Sequence, residues 1–260
     1  MKAFIRHSDA VKDLLIVPVT INYDKIFEGS QFPYELLGEE PPKDSFVRTL
    51  GTLFNRNVKL GRVVVKFCEP ISLRESIINM FGENIVGNKG ELNVQYQRKI
   101  QENIQDKLYY SLSKNSVIML TSVVSAVILE NKSQNINEDV LLKRCVWIYK
   151  ELLSRGIEVS PNTEPKLTNI KTALHQLQPF IETQRGNYEL YVKSYTNYKN
   201  IMMLSYYRNS LGHIFANEGI VACSLQVLGV RVLLEEGITV ERVKEVSHYL
   251  AGILCNEFFF

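Results

Sequence analysis

The sequence is poor in the features that would mark a metal centre, a nucleic-acid binder or a membrane-spanning protein. Its four cysteines, Cys68, Cys145, Cys223 and Cys255, are far apart, with no Cys-x-x-Cys pair and no histidine at ligand spacing. They read as reduced core thiols of an intracellular protein, and no metal is expected. Thirty lysines and arginines against 28 acidic residues leave a formal charge of only +2. Without a basic stripe interleaved with aromatics, nucleic acid is excluded as a partner. The first ten residues are mixed and polar, which argues against a secretory signal. No segment reaches the roughly 20 apolar residues of a spanning helix. The nearest approaches are Ser116–Leu129 and Gly219–Leu234, the second interrupted by Gln226 and Arg231; both are expected to be buried core helices. No internal repeat occurs.

What is present is enough for a core: 260 residues, 45% of them apolar, fit one large or two modest domains. Leu14–Ile21 is a continuous apolar run rich in Val and Ile, the pattern of a strand buried on both faces. "RVVVKF" (Arg62–Phe67) reads as a second strand, stopped at Glu69-Pro70. Between them a helix capped by Asp44 or Ser45 carries Phe46, Leu50, Leu53 and Phe54 on one face. Strand, helix, strand predicts a crossover in a mostly parallel sheet. Two strands cannot close such a sheet, so further strands are expected in sequence outside this chain.

The character changes at "GENIVGNKGELN" (Gly82–Asn93), a polar, Gly- and Asn-rich boundary. Beyond it the pattern is helical. Ile100, Ile104, Leu108 and Leu112 recur along Val94–Ser113. A second helix starts at the Asn137 cap, carries Leu141, Cys145, Ile148 and Leu152 on one face, and ends at Gly156. Arg185-Gly186-Asn187 turns the chain into a short strand. Helices are then expected near Ile201–Phe215, Gly219–Leu234 and Val240–Asn256. The chain stops at "NEFFF", an unusually apolar end for a domain. The expected layout is α/β followed by mainly α: residues 1–81 an incomplete α/β part, 82–93 a linker and 94–260 a helical carboxy-terminal domain.

No self-sufficient active site is legible. A histidine oriented by a carboxylate is the usual base for acyl transfer to an alcohol. His7 is followed by Asp9 and Asp13, two and six residues on, while position 12, reached after four intervening residues, is Lys. His213 and Glu218, five residues apart, would point about 140° away from each other on a helix. His175 and His248 are isolated, and no Gly-rich phosphate loop follows a strand. Pro18 is expected to interrupt hydrogen bonding and re-aim the strand end. Tyr23, Asp24 and Glu28 would then sit in the loop after that strand, where open parallel sheets bind ligands. Alternatively Asp24 and Glu28 cap the following turn and Tyr23 packs.

The stretch "LLIVPVTINYDKIFEG" is similar to the fourth sequence block of the glycerol-3-phosphate acyltransferases and their relatives that acylate dihydroxyacetone phosphate. The matching residues are Val17-Pro18-Val19, Asn22-Tyr23-Asp24-Lys25-Ile26 and Glu28. "YELLGEEPPKDS" and "GRVVVKFCEPISLRE" resemble later segments of that family in the same order, and "SKNSVIMLTSVVSAVIL" and "YYRNSLGHIFANEGIVACSL" resemble its helical part. These last lean toward the mitochondrial glycerol-3-phosphate enzymes, although "YYRN" is also similar to the dihydroxyacetone-phosphate branch.

The resemblance implies the terminal part of an acyltransferase α/β domain, with two strands and helices, followed by a helical domain. It implies a substrate-pocket role for Pro18, Tyr23, Asp24 and Glu28. It implies acyl-CoA as co-substrate, with no other cofactor, glycerol 3-phosphate as acceptor and dihydroxyacetone phosphate as the alternative. It also implies membrane association, with the mitochondrial outer membrane first and the peroxisome or endoplasmic reticulum as alternatives. The family's His-x4-Asp dyad, its phosphate-recognising arginine and its Glu-Gly-Thr-Arg-Ser block have no match here. No catalytic residue is therefore expected in this chain, which should be inactive alone; a noncatalytic derivative binding lipid or a partner is the remaining alternative.

Overall fold

The computed structural model describes residues 11–26, 31–40, 61–82, 94–131, 135–185, 190–194 and 197–255. The predicted helix near Phe46–Phe54 and, Gly82 aside, the predicted linker lie outside them.

The apolar run at the start is not one strand. It forms β1 (Leu15–Ile16) and β2 (Val19–Tyr23), separated at Val17-Pro18. After the short helix α1 (Phe32–Leu37), β3 (Val63–Phe67) and β4 (Ile71–Ser72) follow. β1 pairs with β4 and β2 with β3, both antiparallel. The expected parallel crossover is therefore corrected: these segments form a long two-stranded ribbon. Its interruption has a simple cause. Pro18 offers no N–H to a ladder, and Pro70 stands across from it. Two residues, Val17 and Pro18, face three, Cys68 to Pro70, in the manner of a β-bulge. The Cys68 N–H donates to the Pro18 carbonyl at 2.9 Å and the Leu73 N–H to the Leu14 carbonyl at 3.0 Å, which holds the ribbon together across the defect.

Burial on both faces is also corrected. Val19, Ile21 and Tyr23 stand opposite Phe67, Val65 and Val63, and this apolar face is open, with Ile21 49% and Phe67 73% exposed. The face turned toward the rest of the molecule carries Thr20, Asn22 and Lys66, with Val64 the one apolar residue among them. Amphipathicity is inverted relative to an ordinary half-buried sheet.

Helix α2 (Leu73–Phe81) follows β4 directly. Its start is held by Ser72, whose Oγ accepts the Glu75 N–H at 2.9 Å, and by Asp13, distant in sequence. Asp13 accepts the Ser72 hydroxyl at 2.7 Å and the Arg74 N–H at 3.0 Å. Helix α3 (Val94–Asn115) lies along the ribbon, and its Ile100 and Ile104 share a small core with Leu73 and Ile77 of α2.

The main core surrounds α4 (Leu120–Glu130), which is buried on nearly every side. A helix apolar all round belongs in an interior, and the expectation for this segment holds, except that Ile118–Met119 is a short strand, β5, parallel to β7 (Val159–Ser160). Packed around α4 are α5 (Glu138–Ser154), α6 (Leu167–Leu177) and α7 (Tyr198–Asn209). Helix α5 begins as its sequence indicates: Asn137 Oδ1 accepts the Asp139 N–H at 2.7 Å, Leu141, Cys145 and Leu152 are buried, and Gly156 takes a left-handed φ of 73° beyond the end. β6 (Ile136–Asn137), β8 (Ile181–Arg185) and β9 (Leu190–Ser194) form an antiparallel sheet in the order β6-β9-β8; the turn expected between the last two lies outside the described residues.

The last third departs from expectation. Helix α7 ends at Asn209, and a 3-10 turn, Gly212–Ile214, carries His213. Gly219–Leu234 is neither one helix nor core: α8 (Ala216–Leu228) and α9 (Val230–Glu235) are parted at Gly229, where φ is 94°. Only Ile220 and Ser224 of α8 are buried, and Leu234 is 80% exposed. Helix α10 (Val240–Leu254) packs on α8, with Ser247 donating to Ser224 Oγ at 3.0 Å. Of the cysteines, Cys68 and Cys145 are buried but Cys223 and Cys255 are exposed, so only half fit the expected core role. Burial pushes the Cys145 thiol up to about 12, which leaves it unreactive.

The burial contrast gives a direct test. Leu204→Ala, at a fully buried position against α4, is expected to cost about 2–5 kcal/mol in urea unfolding. Leu234→Ala should change stability by less than about 0.5 kcal/mol.

Candidate functional site

The end of β2 carries the motif that the sequence singles out. Alternation along a strand sends Thr20, Asn22 and Asp24 to one side and Ile21 and Tyr23 to the other. Thr20 Oγ1 donates to the Asn115 carbonyl at 3.2 Å, satisfying an acceptor at the carboxy end of α3. Asn22 bridges: its Nδ2 donates to Ser116 Oγ at 3.2 Å and its Oδ1 accepts the Val117 N–H at 3.2 Å. The Ile26 N–H donates to the Tyr207 hydroxyl at 3.1 Å, tying the exit of the strand to α7.

Asp24 closes the ribbon. Its N–H donates to the Arg62 carbonyl at 3.0 Å, and its Oδ2 accepts the Arg62 N–H at 2.9 Å. Gly61 makes this possible: its φ is 79°, and a Cβ there would lie 2.5 Å from Asp24 Cβ. Desolvation raises the Asp24 carboxyl above its ordinary value, opposed by the Arg62 hydrogen bond and charge. Beside Asp24 lies a cavity of about 40 Å³ whose lining includes Arg62, Asn169, Thr172 and Gln176. That is room for a water or two, not for a phosphorylated three-carbon acceptor.

Pro18 is buried at the bulge, with its carbonyl engaged. Tyr23 is 45% exposed and points away from Asp24, onto the open apolar face beside Val63. Glu28 and His7 lie outside the described residues. The structure therefore brings Asn22 and Asp24 onto the inner face and leaves Tyr23 on the outer one.

The histidines are dispersed. His213 hydrogen-bonds the backbone of Ser113, and burial lowers its pKa against that bond. His248 Nδ1 is 2.8 Å from the Lys244 carbonyl of its own helix, and His175 is exposed. Among the described residues no histidine has a carboxylate partner, and no cluster of His, Cys, Asp and Glu could hold a metal. Glu218 pairs with Arg155; the helix expected to carry it together with His213 does not form, since His213 sits in the 3-10 turn before α8.

Arg155 went unnoticed in the sequence. It binds Glu151 through Nε and Nη2 at 3.0 and 2.8 Å. Its Nη1 reaches the Ile214 carbonyl at 3.1 Å and Glu218 Oε1 at 2.7 Å, and its guanidinium lies 4.6 Å from the Phe215 ring centre. One planar, five-donor group thus fastens the 3-10 turn and the start of α8 to the end of α5. Asp13 stands out in the sequence only as an acid near His7, not for its hold on the start of α2. Desolvation opposes its ionisation, but hydrogen bonds from Ser72, Arg74 and Leu14, with the Arg74 charge, hold its carboxyl below the usual value. Their roles have no local sequence signal, because the partners that give them importance, Ile214 and Glu218 for Arg155 and Ser72 and Arg74 for Asp13, are remote in the chain.

The described residues form a helical body with an attached ribbon, and no histidine–carboxylate pair occurs among them. Residues 33–260 match the family described as the glycerol-3-phosphate acyltransferase C-terminal region, and the chain belongs to that family. The dihydroxyacetone phosphate acyltransferase of Bos taurus is 27% identical over 96% of this chain and 38% of its own length. The mitochondrial glycerol-3-phosphate acyltransferase 1 of Sus scrofa is 24% identical over 84% of this chain and 30% of its own length. The glycerol-3-phosphate acyltransferase of Pseudomonas syringae pv. tomato is 23% identical over 100% of this chain and 30% of its own length. The chain thus spans about a third of the length of the curated relatives it matches.

The Asp24 clamp predicts a pH-dependent difference. A carboxyl whose folded pKa is raised contributes stability below its unfolded value, and that contribution is lost as pH rises through the folded pKa. Asp24→Asn keeps an oxygen acceptor for Arg62 without the charge. In urea titrations it should match or exceed the parent at pH 7, and the parent should gain on it as pH falls toward 3.8. Gly61→Ala should lose about 1–3 kcal/mol at either pH.

Proposed function

We propose that this chain is the carboxy-terminal portion of an acyl-CoA:glycerol-3-phosphate O-acyltransferase, contributing the scaffold on which the acid–base part is assembled. The observation that carries this reading is the inverted ribbon. Its polar side is consumed by Asn115, Ser116 and Val117 of the helical body. Its apolar side is left open at Ile21, Tyr23, Val63, Val65 and Phe67, with Val19 half-buried beside them. A contiguous apolar face of this kind marks an interaction surface. Membership of a family named for a carboxy-terminal region supports the catalytic α/β part as its occupant. In that assembly Tyr23 would face the catalytic part, whereas Pro18 and Asp24 would fix the ribbon that presents it. The reaction would transfer an acyl chain from the coenzyme A thioester to the acceptor hydroxyl, with the hydroxyl proton passing to a base on the catalytic part and the thiol released.

The acceptor has a second reading, dihydroxyacetone phosphate, favoured by the 27% identity to an acyltransferase of that name. Attachment to an organelle membrane, with the mitochondrial outer membrane as first choice, belongs to the same proposal. No helix among the described residues is long and apolar enough to cross a bilayer, so the contact would be peripheral or made by another part.

The test uses native material. Immunoprecipitates made with an antibody against the 260-residue chain are assayed for transfer from palmitoyl-CoA to labelled glycerol 3-phosphate and, separately, labelled dihydroxyacetone phosphate. Acylation of the first acceptor in preference to the second is expected, with none from the purified 260-residue chain alone. Preference for dihydroxyacetone phosphate would establish the second reading. Acylation of neither would overturn both.

A further inference from the structure

A groove of about 430 Å³ runs between the bulge joining β3 to β4 and the carboxy-terminal half of α3, within the range of small-ligand clefts. Its helical wall carries Lys107, Tyr110, Ser111 and Lys114, positions that share one face of a helix. Opposite stand Glu69 and Pro70. Lys107 Nζ is steadied by donating to Ser76 Oγ at 2.9 Å, and Ser76 in turn donates to the Ser72 carbonyl at 2.8 Å. An ammonium has three donors, so two remain to be used. Lys114 Nζ lies 5.7 Å from the centre of the Tyr110 ring. Among the described residues neither lysine forms an ion pair with a carboxylate, whereas Lys66, Lys150, Lys171 and Lys199 all do.

The two ammoniums start about 10 Å apart along the helix axis, with an aromatic ring between them. Flexible lysine side chains can close over that span on two separate phosphoryl groups, and the tyrosine face can accept a planar base. We propose that this groove binds the phosphorylated nucleotide end of the thioester donor: a diphosphate, a third phosphate and an adenine carried on one ribose. The assignment rests on the acyl-CoA reading above for its ligand and on charge complementarity for its place. Glu69 is the one carboxylate among the lining residues, and it would face the ribose rather than a phosphate.

The experiment is isothermal titration of the full 260-residue chain with coenzyme A, dephospho-coenzyme A, ADP and inorganic phosphate. Coenzyme A is expected to bind, with affinity about tenfold weaker when the 3′-phosphate is missing. Lys114→Ala, at an exposed position, should weaken coenzyme A by about tenfold with no change in melting temperature; Lys107→Ala should do the same or more. No binding of coenzyme A, binding indifferent to both substitutions, or equal affinity for coenzyme A and inorganic phosphate would each overturn the proposal. Failure here with acyl transfer intact in the immunoprecipitate removes this groove alone. Binding here without acyl transfer leaves the groove standing and removes the enzyme.

Discussion

The side chain of Asn22 is the joint on which the rest depends. It donates to Ser116 and accepts from Val117, so both halves of its amide are used where α3 gives way to β5. Thr20 adds a bond to Asn115 one step along the strand. Buried polar groups must be paired, and pairing these obliges the ribbon to turn its polar side inward. Its apolar side must then face out. The open face is therefore a consequence of how the ribbon is held rather than a defect of packing.

That arrangement divides labour among residues that look alike in a motif. Asn22 and Asp24 hold the ribbon, the first to the body and the second to its own partner strand. Tyr23, between them, is the residue presented outward. Pro18 and Pro70 place the bulge that separates the two halves of the ribbon, so that β1 and β4 lead into α2 while β2 and β3 lean on α3 and β5. Arg155 does for the start of α8 what Asn22 does for the ribbon, with one group satisfying Glu151, Ile214 and Glu218.

Local rules carried much of this. The Asn137 cap, the Gly156 stop and the buried stripe of α5 follow from residues within one helix, and so does the extent of α3; Pro18 reads as a kink within one strand, whereas it divides two. The failures share a cause. Whether β2 and β3 run parallel or antiparallel depends on the path between them, not on their apolar content. A run such as Leu14–Ile21 reads as buried on both sides because it would be favourable to bury it, while only its partners decide which side is covered. Gly219–Leu234 misled in the same way: apolar residues and a single glycine at 229 look like one core helix, yet the chain turns there and leaves most of the surface open. Asp13, Arg155 and Tyr207 reach residues far away in sequence, contacts that no nearby pattern announces. The family motif falls on this ribbon, where two of its polar residues, Asn22 and Asp24, make structural hydrogen bonds.

The most direct test of the inverted ribbon is the rate at which single cysteines placed along β2 react with a maleimide, in a background with Cys223→Ser and Cys255→Ser to remove the exposed native thiols. Fast labelling of Ile21→Cys and slow labelling of Thr20→Cys and Asn22→Cys is the predicted result. The reverse order, with position 21 protected and positions 20 and 22 freely reactive, would contradict the account.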